Sequence, residues 1–373
     1  MHRFSINRLD LPIIVPAILI VLLSLSAFYS IDFRIFRQQL IFLFISLIAY
    51  VIFLNVDYRI FGVYAKYLYY IMIALLLLLF VIGIEARGAV RWVDVFGIRI
   101  QFSEIIKPFF IILMASYLTS NEDRSFAKFL KSLLILLPIF LLTLRQPDLG
   151  NAVIYFLLVV FMLFMYGFPL RYFFLMGISI LVPLPTFYNL LLDYQKQRIL
   201  SFINPTVDPV GSSYNTIQSL ISIGSGGFLG KGFGDATQSI LKFLPERHTD
   251  FIFATLSENL GFLGAVFLLC LYGYLLYRIY KIREVVRDRF SEMLLVGFYF
   301  IFLIHIFLNI GMNIGIVPVV GITLPFASYG GSSLLTSFII LGIISSIKYD
   351  FNKRTVLEIT YISGKIPKLW NMR

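Results

Sequence analysis

Three ionisable side chains, Glu104, Lys107 and Glu258, sit inside long apolar runs of a 373-residue chain. A charge at such depth is costly unless a partner or water answers it, so each is a candidate for function. Glu104 and Lys107 are three residues apart, on one helical face behind Ser103 as a candidate N-cap. The pair reads equally well as a substrate contact or as an ion pair that fixes helix register. Glu258 has no local partner and lies next to Asn259, which predicts a span turning a wet face to the bundle interior. Between the apolar runs a second group of polar residues gathers: Arg87, Arg91, Trp92, Asp94 and Arg99; Arg145 and Asp148; and Lys196, Arg198, Lys231, Lys242, Arg247, His248 and Asp250. A cleft lined by such cations suits a diphosphate, which arginine binds through paired hydrogen bonds. Trp92 reads more simply as an interfacial anchor than as a stacking platform.

The elements that must position these residues are set by composition. The chain is 59% hydrophobic and 14% charged, with mean hydropathy +0.89. That is too apolar for water to solvate, so the fold class is all-α and integral to a membrane, with about ten transmembrane helices. Charge-poor runs of spanning length fall near 11–30, 38–56, 63–84, 104–120, 130–146, 150–167, 170–189, 251–277, 293–316 and 327–347. The first reads as a signal anchor. With the N-terminus inside, inner segments hold about 19 Lys and Arg against about 12 outside, which predicts an N-in, C-in topology. The net charge of +11 is dispersed in short inter-span segments, such as Arg278 to Arg289 and Lys348 to Arg354. It therefore points to anionic lipid headgroups and not to nucleic acid. The single cysteine, Cys270, allows no internal disulfide and reads as a packing residue.

One connection breaks the pattern of short loops. Residues 189–250, roughly sixty on the expected outer face, are rich in Gly, Pro, Ser and charge. Their apolar stretches, Ile217 to Ile223 and Ile240 to Leu244, read as short amphipathic helices on the membrane. The glycine run from Gly224 to Gly232 fails as a phosphate loop, since Ser225 stands where the first Gly is needed and Gly232 follows Lys231 in place of Ser or Thr. Its glycines suit tight turns at the bilayer surface. The small residues from Ala327 to Ser333 predict close helix approach. Asn309 and Asn313, with Pro318 and Pro325 beyond, predict a ninth span that ends irregularly against protein.

Taken in order, these motifs resemble the SEDS family (shape, elongation, division and sporulation), most closely its elongation branch. The residues that carry the resemblance are Gly88-Ala89-Val90-Arg91-Trp92, Ser103-Glu104 with Lys107, Gln146-Pro147-Asp148-Leu149-Gly150 and Tyr194-Gln195-Lys196-Gln197-Arg198-Ile199. It continues through Asp208-Pro209, Gly224 to Gly227, Phe243 to Phe253 and Leu324 to Ser333. Phe102 departs from the proline common before Ser-Glu. The resemblance covers nearly the whole chain and implies a single transmembrane domain over 1–373, with residues of about 189–250 as a functional insertion. It implies a peptidoglycan glycosyltransferase that polymerises lipid II, an undecaprenyl-diphosphate-linked disaccharide peptide, at the outer face of the bacterial cytoplasmic membrane. A class B penicillin-binding protein transpeptidase and other elongation-complex membrane proteins are the implied partners.

No cofactor is evident, although a divalent cation (Mg or Mn) on the diphosphate is compatible with the chemistry. The resemblance makes Asp250 the general base, against the simpler reading that Asp250 or Thr249 caps the eighth helix. Arg91, Lys107, Arg198 and Arg247 become diphosphate or sugar contacts, Glu104 orients Lys107, Asp148 orders the cavity, and Glu258 is a further substrate contact. A lipid II flippase or a non-enzymatic scaffold of the elongation machinery are the alternatives. The absence of an internal repeat and the concentration of polar groups on one side weigh against transport.

Overall fold

The computed structural model describes residues 8–86, 89–95, 98–182, 213–241 and 243–362, with isolated positions 189, 196, 197, 200 and 202 between them. Nine helices in these residues are long and apolar enough to cross a membrane. They are α1 (Leu11–Ile31), α2 (Phe33–Asn55), α4 (Ala65–Ile82), α5 and α6 together (Phe102–Ile105, Lys107–Thr119), α7 (Phe126–Arg145), α8 (Leu149–Tyr166), α12 (Ile252–Val285), α13 (Arg289–Asn313) and α14 (Gly331–Ile362). A short helix α3 (Tyr58–Val63) links the second and third spans. The expected seventh span is represented by α9 (Leu170–Leu181), and its continuation lies outside the described residues.

Polarity is inverted relative to a water-soluble bundle. Phe44, Val81 and Leu181 are 67%, 81% and 65% exposed, whereas Glu104, Lys107, Glu258, Asn309 and Asn313 are buried. Lipid solvates the outer apolar shell, and internal partners answer the polar groups. Asp10 before α1 pairs with Lys348 of α14 at 2.8 Å, and Arg59 of α3 pairs with Asp350 at 2.9 Å, so both ends of the described chain lie on one face. The small residues opening the last span do permit close approach. A Cβ on Gly331 would lie 2.7 Å from the Phe42 ring of α2, and one on Gly342 2.8 Å from the Tyr50 carbonyl oxygen.

Two departures from the sequence-based expectation concern the opposite, loop-bearing face. The connection after α4 is a three-stranded antiparallel sheet, β1 (Ile84–Ala86), β2 (Ala89–Val95) and β3 (Ile98–Ile100), in the order β1-β2-β3. Strand alternation in Arg91-Trp92-Val93-Asp94 turns Arg91 with buried Val93 to one side and Trp92 with exposed Asp94 to the other. Ser103 is not a cap: Gln101 holds that position, and the Ser103 hydroxyl donates instead to Asp148. Cys270, too, is not packed inside but exposed on the outside of α12.

The glycine run has a different task from the surface turns expected of it. Helix α12 is broken at Gly261, whose φ of 68° and ψ of −165° are not helical. Residues 226–232 fold onto the break and satisfy it from both sides. Lys231 and Gly232 N–H groups donate to the Glu258 and Asn259 carbonyls at 3.0 and 2.9 Å, and Phe262 and Leu263 N–H groups donate to the Gly227 and Phe228 carbonyls at 2.9 and 3.2 Å. Backbone approaches backbone so closely that a Cβ on Gly230, which also needs φ +83°, would collide with the Asn259 carbonyl. The segment before the run is α10 (Tyr214–Ser225), and a short α11 (Thr237–Ile240) follows it, in keeping with the short loop helices expected.

Gly230→Val is expected to cost about 1–3 kcal/mol through overpacking. Gly224→Ala, where nothing lies within 4 Å, should be neutral. Thermal unfolding of the two variants in detergent checks the difference, and equal melting would refute the clamp.

Candidate functional site

Three polar clusters meet on the loop-bearing face. The first is built on the N-terminus of α8. Asp148 caps it, accepting from the Asn151 N–H at 3.3 Å through Oδ1. Its Oδ2 accepts from Gln101 Nε2 (2.8 Å), Ser103 Oγ (3.1 Å) and Asn151 Nδ2 (2.9 Å). Arg91 reaches the same turn from β2, donating through Nε to the Gln146 carbonyl at 3.2 Å and through Nη2 to the Pro147 carbonyl, with Nη1 4.0 Å from Asp148. Asp148 thus ties the N-terminus of α8 to Gln101 and Ser103, and Arg91 stands at the edge of this cluster, about 30% exposed.

The second cluster lies deeper. Lys107 Nζ is 2.6 Å from Glu104 Oε1 and 3.0 Å from His305 Nε2. His305 Nδ1 is 3.0 Å from the Thr323 carbonyl, which fixes the proton on Nδ1 and leaves Nε2 to accept from the ammonium. All three side chains are buried. Lys107 is thus oriented by Glu104, as expected, yet it points to His305 and is 1% exposed. The two expectations for the pair, register and chemistry, resolve here into a buried strut joining α6 to α13 and to the loop after it. His305 escaped notice in the sequence because its partner is 198 positions away.

The third cluster carries Asp250. Helix α12 begins at Ile252 with Phe251 in the cap position and no side-chain cap bond of its own. Asn313 of α13 does that work from outside: its Oδ1 accepts from the Ala254 N–H at 3.1 Å. The capping role considered for Asp250 and Thr249 is therefore filled by another helix, for the reason that a distant amide satisfies the same orphan N–H. The backbone leading into α12 is pinned carbonyl by carbonyl. Tyr329 N–H donates to His248 O (2.8 Å), Ser328 Oγ to Thr249 O (2.7 Å), and the Asn309 and Asn313 side-chain amides to Asp250 O (2.9 and 3.0 Å).

Asp250 is half-buried, and its carboxylate lies against Gly321, where a Cβ would be 3.4 Å from Oδ2. The Gly321 segment in turn lies on α8. A Cβ on Gly150, two residues from Asp148, would be 2.6 Å from the Val320 carbonyl and 3.5 Å from that of Gly321. His305 holds the same loop at Thr323. Asp250, Asp148 and the Lys107 strut thus share one loop, residues 320–323.

Arg247 is 7% exposed, and its Nε has no hydrogen-bond partner among the described residues. Burial pushes its guanidinium down from the usual arginine value, with the charges of Asp32 and Glu246 opposing, and it remains a cation. The ring of His248 stacks edge-on against Tyr329 at 5.6 Å.

One expected site residue, Glu258, does not join this group. Glu258 is 0% exposed and fully engaged: Oε1 accepts from the Gln238 N–H (2.9 Å) and Lys231 Nζ (3.4 Å), and Oε2 from the Ser239 N–H (3.0 Å) and hydroxyl (2.6 Å). It anchors the loop at α11 and does not line a wet face, a correction whose cause is partners some twenty residues back in the chain. Arg198 lies outside the described residues. Among the described residues no three His, Cys, Asp or Glu side chains converge to hold a metal ion.

Lys107→Met is expected to destabilise the fold by about 3–5 kcal/mol, because it leaves the Glu104 carboxylate buried and unpaired. Removing both charges in Glu104→Gln/Lys107→Met should be milder than the single change. Detergent melting curves of the three variants measure the coupling, and strictly additive losses would contradict it.

Comparison with known proteins places this arrangement. The model of the cell cycle protein family that joins FtsW, RodA and SpoVE matches residues 6–353. The peptidoglycan glycosyltransferase MrdB of Escherichia coli is 40% identical over 280 residues, 73% of this chain and 74% of its own. Among solved structures, a chain from a peptidoglycan synthase complex, described for the structural coordination of polymerization and crosslinking, matches with a TM-score of 0.81 at 29% identity. The match covers 92% of this chain and 98% of that one. The rod shape determining protein RodA of Thermus thermophilus matches with a TM-score of 0.68 at 27% identity, over 91% and 97% of the two chains. The chain belongs to the FtsW/RodA/SpoVE family, the SEDS family that its motifs resemble, and is a multi-pass membrane protein of that fold.

Proposed function

We propose that this protein is a peptidoglycan glycosyltransferase that polymerises lipid II during cell elongation, with Asp250 as general base. The observation that carries the reading is the fixed backbone of His248, Thr249 and Asp250. Three successive carbonyls are held by Tyr329, Ser328 and the Asn309–Asn313 pair, while Asn313 relieves the aspartate of capping α12. A half-buried carboxylate on a pinned backbone, three residues after a buried arginine whose Nε has no partner among the described residues, suits a base beside an anionic leaving group.

The donor sugar carries an α-linked diphosphate and the glycan product is β-linked, so the anomeric carbon inverts in one displacement. Asp250 takes the proton of the acceptor 4-hydroxyl as that oxygen forms its bond to C1. The C1–O bond to the diphosphate breaks, and the diphosphate departs with the electron pair. Such a leaving group needs its charge neutralised more than it needs a proton. Arg247 and Arg91, with Arg198 from the loop, are assigned to that task. Lys107 and Glu104 hold the loop that bears Gly321, and Asp148 fixes the turn that presents Arg91. A divalent cation bound to the substrate's diphosphate would supply further charge neutralisation there.

The site face is assigned to the outside of the cytoplasmic membrane, with both termini within, on the bias of Lys and Arg between the two faces. The relative solved in a complex that coordinates polymerization with crosslinking supports a class B penicillin-binding protein as partner. Transport of lipid II and a purely scaffolding role are the competing readings.

Asp250→Asn should lower polymerisation of lipid II by at least about 100-fold while melting temperature and transpeptidase binding stay near wild type. The assay is purified protein in detergent, with and without the transpeptidase, and products resolved by size. Retained polymer would remove Asp250 from the mechanism, and loss of transpeptidase binding would point to a scaffold. Asn313→Ala, which removes one of the two donors to the Asp250 carbonyl and frees the Ala254 N–H, should reduce turnover and cost about 1–3 kcal/mol. Unchanged turnover would show that the pinned backbone is dispensable.

A further inference from the structure

The face opposite the candidate site holds a cavity of about 350 Å³ lined by Thr119, Asn121, Glu122, Arg124, Tyr166 and Arg289. It forms where α6 and α8 end and α7 and α13 begin. Its cations are not consumed by carboxylates. Arg124 lies 5.7 Å from the centre of the Tyr166 ring and against Gly167, whose φ of +92° ends α8 and where a Cβ would come within 3.3 Å of the guanidinium carbon. Among the described residues neither Arg124 nor Arg289 has a carboxylate within 4 Å.

A third cation lies beneath. Lys128, 4% exposed, likewise has no carboxylate within that distance among the described residues. It donates at 2.6 Å to the Leu118 and Asn121 carbonyls and to Asn121 Oδ1, and at 3.2 Å to the Tyr166 hydroxyl. It thereby occupies the acceptors that would otherwise draw the arginines. Asp123, held as an anion by the Ser125 N–H and hydroxyl at 2.8 and 2.6 Å, and Glu122 together set two negative charges against the three positive ones of Arg124, Lys128 and Arg289. The hollow has room for on the order of ten water molecules, at the level where spanning helices leave the hydrocarbon.

We propose that this cavity is a binding site for a phosphate group carried by an anionic phospholipid. Two guanidiniums supply paired donors to tetrahedral oxygens, and the buried ammonium raises the local potential without competing for the ligand. Basic pockets between helices at this depth suit lipid headgroups. Free phosphate offers the same chemistry without the acyl chains, and the test separates the two.

The purified full chain is titrated in detergent with dioleoylphosphatidylglycerol, dioleoylphosphatidylcholine or inorganic phosphate, and bound ligand is counted by native mass spectrometry. Wild type and Arg287→Gln, an exposed arginine outside the cavity, should retain one phosphatidylglycerol in preference to phosphatidylcholine. R124Q/R289Q should bind it about tenfold more weakly, and R124K/R289K should fall between, since it keeps charge and loses the fork. Displacement of the lipid by inorganic phosphate would mean that the cavity reads phosphate alone, and its persistence would mean that the lipid is the ligand. Equal phosphatidylglycerol binding by wild type and R124Q/R289Q, with both melting as folded proteins, overturns the proposal. Should R124Q/R289Q fail to fold, wild-type affinity in R124K/R289K overturns it instead.

Discussion

Inside a bilayer no water stands ready to accept or donate a hydrogen bond, so every polar group that the chain carries below the headgroups must find its partner in the protein. Much of this structure follows from that constraint. The break at Gly261 exposes two carbonyls and two N–H groups, and the segment 226–232 supplies complementary partners because Gly226 and Gly230 have no Cβ to hold the two backbones apart. The start of α12 lacks a cap of its own, and Asn313 reaches across to provide one. Lys107 is tolerable at 1% exposure because Glu104 and His305 both lie within 3.0 Å.

The same requirement stiffens the site. Loop 320–323 touches the N-terminus of α8 at Gly150, the Asp250 carboxylate at Gly321 and the His305 imidazole at Thr323. A carboxylate positioned by such contacts has little freedom to move, which suits the role of base proposed for it, and fixed positive charge would need no reorganisation as a diphosphate leaves. Arg247 adds a buried guanidinium whose Nε has no hydrogen-bond partner among the described residues, three positions before Asp250.

How much of this was legible in the sequence depended on distance along the chain. Spans were readable because a bilayer imposes length and apolarity on contiguous residues, and the Glu104–Lys107 pair because three positions make one helical turn. Gly331 was readable as a close-approach residue for a similar local reason. What escaped detection was non-local. His305 meets Lys107 across 198 positions, Asn313 caps a helix 59 positions earlier, and Glu258 finds Ser239 in a loop that pattern alone could not fold back. The small sheet at residues 84–100 was missed because its strands are short and its alternating residues were weighed as charges, not as a period of two. Asp250 stood out through family resemblance, since its neighbours in sequence said only that a helix was about to start.

Helix α13 runs from Arg289 at the basic cavity to the two asparagines that grip the Asp250 carbonyl, 25 residues and about 37 Å without a break. A rod of that kind does not absorb motion along its axis. One unbroken span thus ties the basic cavity on one face to the backbone of the aspartate on the other, so the two membrane surfaces share a single structural member.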